Sequence, residues 1–137
     1  MCAVLVIGGV SFYTVINLKE NWAPWFCPRK DEQIMGYELL AILTGIVTFL
    51  PLLKGRTLRI WTDNEGGAFS VIRGGSAQQD HNCLVHRFWC LCYEHAIHPW
   101  IARVPSEDNI SDGPTRGDLA VVTIIGAKPI KAQVPTL

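Results

Sequence analysis

Three acidic residues stand where a carboxylate needs a reason. Glu38 lies early in the otherwise apolar run 34-IMGYELLAILTGIVTFL-50. Asp63 ends the β-branched stretch 57-TLRIWT-62, and Asp112 follows Asn109 by three residues. Carboxylates gathered in a partly buried place repel one another and raise one another's pKa values. A hard divalent cation, Mg²⁺ or Mn²⁺ in its place, relieves that repulsion by taking oxygen ligands while keeping waters for a substrate. Two such ions about 3.5–4 Å apart can activate a water and stabilise a leaving oxygen in phosphodiester hydrolysis. Each acid also has an ordinary reading. A Glu early in a helix complements the helix dipole. An Asp-Asn pair after a strand forms a turn. An Asp at a helix start caps it. Spacing alone does not bring the three together.

The elements around them can be read from periodicity. Residues 3-AVLVI-7 and 11-SFYTVINL-18 flank Gly8-Gly9 and predict an antiparallel pair. A third, edge strand is expected around 22-WAPWFC-27, because Pro24 and Pro28 cannot serve a central strand. Helical spacing of Met35, Leu39, Ile42, Leu43, Ile46, Phe49 and Leu50 predicts a buried helix from Ile34 to about Leu50. Residues 57–62 read as a strand, followed by a helical region that breaks at 73-RGGSAQQD-80 and resumes through 84-LVHRFWCLCYEH-95. Residues 98-HPWIARV-104 read as another strand. A short helix or turn follows over 109–116, with Asp108 or Asn109 as its cap. One more strand-like run is expected in the tail, 117–137, whose Pro-containing end reads as loose. The order implies an α/β domain with a mixed five-stranded sheet, three antiparallel strands then αβαβα, flanked by helices. In such sheets ligands gather at the carboxyl ends of the parallel strands, where Asp63 stands.

The totals set bounds. At 137 residues the chain is one domain by length, and 49% apolar against 18% charged residues make it globular rather than disordered. Twelve basic and twelve acidic residues give no net charge, so no global field attracts a polyanion. Five cysteines without framework spacing point to reduced thiols and an intracellular setting, cytoplasm or nucleus. Two uncharged runs, Met1–Leu18 and Leu39–Leu53, are the sole basis for a membrane reading. The first contains a Gly pair suited to a hairpin, and the second is shorter than the ~20 residues a span needs. No membrane segment is expected.

The succession 36-GYELLAIL-43, 58-LRIWTDNEGG-67, 84-LVHRFW-89 and 102-ARVPSEDNISDGPTR-116 resembles the ribonuclease H domain of retroelement reverse transcriptases. The resemblance spans roughly residues 2 to 116, so the domain is expected over 1–116. It implies a ribonuclease H-like fold, two Mg²⁺ ions and hydrolysis of the RNA strand of an RNA–DNA hybrid. The natural partner it implies is a reverse transcriptase domain upstream in the same polyprotein. By motif match, Glu38, Asp63 and Asp112 correspond to catalytic and metal-binding carboxylates, and Asn64 follows Asp63 as in many of these elements. The family has a further aspartate on its first strand, bridging both metals. Here 1-MCAVLV-6 resembles the second half of that strand, beyond the aspartate, and nothing acidic precedes Glu20. The domain is therefore expected to be truncated at that strand, with weak metal binding and little or no nuclease activity. The alternative is an inactive remnant that binds nucleic acid or packs as a structural subdomain.

A hybrid needs phosphate contacts. Arg73, Arg87, Arg103 and Arg116 are candidates, as are Asn64 and Asn109, and Gly74-Gly75-Ser76 could offer backbone amides. Trp61 and Trp89 are expected in the core, while Trp22, Trp25 and Trp100 lie near strand edges. Four His and three Cys between His81 and His98 raise the possibility of Zn²⁺, but the usual ligand spacings are absent. The expected role of that stretch is a helix packing through Leu84, Val85, Phe88, Trp89 and Leu91.

Overall fold

The computed structural model describes residues 1–17, 26–28, 30 and 33–136. Strands β1 (Cys2–Ile7) and β2 (Val10–Val15) form the expected hairpin. Gly8 and Gly9 both take positive φ, 56° and 75°, as a two-residue loop between twisted strands requires. The edge strand expected around 22–27 falls largely outside the described residues.

Helix α1 (Ile34–Leu53) runs one turn past its expected end and contains Pro51. Proline in the last turn loses one backbone bond, yet the helix continues because Leu53 is buried beyond it. With 20 residues and a mean hydropathy of 1.8, α1 is long and apolar enough to cross a membrane. It is thus longer than the 39–53 run on which a spanning length was discounted. In the structure 61% of its most apolar stretch is buried inside the molecule, mainly against β1 and helix α3 (Gln79–Glu94). Leu39, Leu40, Leu43, Ile46 and Phe49 join Leu84, Val85, Phe88 and Leu91 of α3 in one core with Leu5 and Ile16.

Strand β3 (Thr57–Thr62) leads into α2 (Glu65–Arg73), and β4 (His98–Arg103) pairs with β3 in parallel. Beyond β4 come a 3₁₀ turn (Ser106–Asp108) and α4 (Asp112–Thr115). The strand-like run of the tail is instead helical: α5 spans Ala120–Ile124. Asp118 Oδ1 accepts from the Ala120 amide at 2.9 Å at its start, and Val122 is buried, so capping and burial outweigh the β-branched composition. The tail strand is β5 (Lys128–Pro129), parallel to β2. Nor is the end loose. The Gln133 amide donates to Thr48 Oγ1 at 2.9 Å, Arg87 Nε donates to the Thr136 carbonyl at 3.1 Å, and Pro135 is buried.

The class is mixed α/β, but the strands do not form one five-stranded sheet. Among the described residues they fall into two small sheets, β1-β2-β5 and β3-β4. A cleft of about 920 Å³, lined by β1, β3 and α1, lies between the two sheets.

Candidate functional site

Each candidate acid is set by a different element. Glu38 lies on α1 beyond its first turn, which holds no acidic residue. A dipole role fades past that turn, so it does not explain Glu38. Asp63 follows the last residue of β3. Asp112 opens α4, after the cap residue Ser111. The capping expected of Asn109 is shifted by two positions: its Oδ1 accepts from the Ser111 amide at 3.1 Å and hydroxyl at 2.8 Å.

Glu38 feels the other two acids. Burial raises the Glu38 pKa most, and the neighbouring Asp63 charge raises it further. The Met1 ammonium pulls it back, and Asp112 adds a last upward push. Glu38 lines the cleft together with the 108–111 segment, and the other three groups lie close enough to act on it. Asp112 already holds Arg116, 2.9 Å from Oδ2 to the guanidinium. Among the described residues, no three His, Cys, Asp or Glu side chains are grouped closely enough to hold a metal ion. The acids are neighbours, but as placed they do not fit a preformed two-metal centre.

The other expected contacts are largely engaged within the chain. Asn64 caps α2, its Oδ1 accepting from the Gly67 amide at 2.7 Å. The amides of Gly74 and Gly75 donate to the carbonyls of Val71 and Ser70, and that of Ser76 to Asn82 Oδ1. The 74–76 loop is therefore not a cradle of free amides. Arg87 pairs with Glu94 at 3.7 Å. Arg73 and Arg103 are exposed.

Trp61 is not in the core; it is 58% exposed, beside Arg59 and the 70% exposed Trp100. The sequence carried that signal. Alternation along β3 turns the half-buried Leu58 and Ile60 and the buried Thr62 inward, so Trp61 must point outward. Trp89 does pack inward, its indole N–H donating to the Val71 carbonyl at 2.9 Å. All five cysteines are free, and burial pushes the Cys2 and Cys92 thiols up to about 11, away from reactivity. His86 and Cys90 lie 3.7 Å apart on α3, and among the described residues no third ligand joins them.

No family model matches the chain, and neither a curated protein nor a solved structure matches it.

Proposed function

We propose that this chain is a ribonuclease H-like domain of a retroelement polymerase, binding RNA–DNA hybrids but impaired in hydrolysis as it stands. One observation carries the reading: the acids at the end of β3 and the start of α4 both raise the pKa of Glu38, which lines the cleft from α1. Their residue types and order match the sequence resemblance. The impairment follows from the same place. Asp112 is tied to Arg116, and among the described residues no three-ligand group stands ready for a cation. That second observation favours the runner-up, an inactive remnant kept for nucleic-acid binding or as a packing subdomain.

Binding of a labelled RNA–DNA hybrid, compared with duplex DNA of equal length, tests the reading. The hybrid is expected to bind more tightly, with affinity falling steeply as salt rises. Equal affinity for both duplexes, or none for either, removes it. With Mg²⁺ added, cleavage is expected to stay at the protein-free rate. Turnover that disappears in Asp63→Asn would show that the site is competent after all. A Mn²⁺ titration read by Trp61 fluorescence separates the runner-up: two quenching events favour an enzyme, none a remnant.

A further inference from the structure

The cleft between β1 and β3 has backbone for both walls. Met1 and Ile16 exchange two hydrogen bonds, Ile16 N–H to the Met1 carbonyl at 2.8 Å and Met1 N to the Ile16 carbonyl at 3.0 Å. In an antiparallel ladder such pairs alternate, so Ala3, Leu5 and Ile7 also bond to β2. Cys2, Val4 and Val6 then turn their N–H and C=O groups away from β2, toward the cleft. On the other wall, His98 N–H donates to the Arg56 carbonyl at 2.9 Å and Val104 N–H to the Thr62 carbonyl at 3.0 Å. That parity gives β4 the backbone groups of residues 56, 58, 60 and 62. Thr57, Arg59 and Trp61 face the cleft. Among the described residues, neither edge has a strand partner on this side.

Three residues on each wall match one strand of six residues, about 20 Å long, whose alternate residues bond left and right. Below it lie Ala41, Ile42, Gly45, Ile46 and Phe49, one face of α1. Above it the sheet surface is open, as the exposed Val6 and Trp61 show. An inserted strand therefore needs apolar side chains at alternate positions, facing α1, and polar ones between. Glu38 senses both the Met1 ammonium and Asp63, so the start of β1 and the end of β3 share one end of the cleft. The two walls run in opposite senses, and the inserted strand lies parallel to one and antiparallel to the other.

We propose that this cleft is an acceptor site for an extended peptide segment of a partner chain, which inserts between β1 and β3 and joins the two sheets. The proposal rests on edge geometry and does not depend on the nuclease reading.

The probe is an eight-residue synthetic peptide of alternating valine and threonine with a lysine at each end. Residue-resolved amide exchange of the unaltered protein is followed as the peptide is added. Exchange at Cys2, Val4, Val6, Thr57, Arg59 and Trp61 is expected to slow by roughly tenfold or more, with Ala3, Leu5 and Ile7 little changed. The same peptide N-methylated at alternate residues, which blocks donation to one wall, is expected to lose the effect. No slowing at the six amides overturns the proposal. So does slowing on one wall only, which is edge addition, or equal slowing along β4 and β5, which is non-specific pairing.

Discussion

A carboxylate in the position of Glu38 is under electrostatic load. Burial and the Asp63 charge both disfavour its ionised form, so its pKa in the folded chain lies above the ordinary 4.5. For an acid shifted upward, the folded state binds the proton more tightly than the unfolded chain. The resulting stabilisation is complete below 4.5 and is lost as pH rises through the folded value. Above its folded pKa Glu38 is charged where charge is unwelcome. Glu38→Gln is expected to stabilise the protein at pH 7 by a few tenths to about 1 kcal/mol after solvent screening. The gain should vanish below the unfolded pKa, as read from urea midpoints at several pH values. A gain that persists at acid pH would assign the effect to packing. The load was legible in part. The types and places of Glu38, Asp63 and Asp112 could be read from the chain, but not that Arg116, four residues on, would hold Asp112, since Arg116 could as well have faced solvent.

At the scale of elements, the junction of β3 and α2 carries both the acid and the cap. Asn64 fixes where α2 begins, and so the direction in which the chain leaves Asp63. Asn64→Ala removes the bond to the Gly67 amide and is expected to cost about 1 kcal/mol, measured by chemical denaturation. An unchanged midpoint would show that the first turn of α2 is held by other contacts. This junction was readable because its signals agree: a β-branched run, then Asn and a Gly pair. The tail was not. The run 121-VVTII-125 has strand composition, and its helix depends on Asp118 and on the burial of Val122, which no local pattern reveals. The two-sheet arrangement was hidden for a similar reason. Which strand lies beside which is a long-range matter, and the runs that form β1 and β3 look the same whether their edges meet or not.

At the scale of the molecule, the last segment closes over the first. Residues 117–136 contribute β5, the buried Val122 and Pro135, and the Gln133 bond to α1. Ending the chain at Arg116 is expected to lower stability by at least about 2 kcal/mol, the worth of burying one valine-sized side chain, as a fall in urea midpoint. An equal midpoint would show that the remaining chain stands alone.

The pairing of β5 with β2 also sets a timetable for synthesis. Phe12 meets Lys128 and Tyr13 meets Pro129 across 116 positions of chain, 128 minus 12. During translation the hairpin emerges well ahead of the strand that covers its outer rim. A nascent or prematurely stopped chain exposes that rim to any neighbour with a free strand, so the interval between the two events is when the molecule most needs a chaperone.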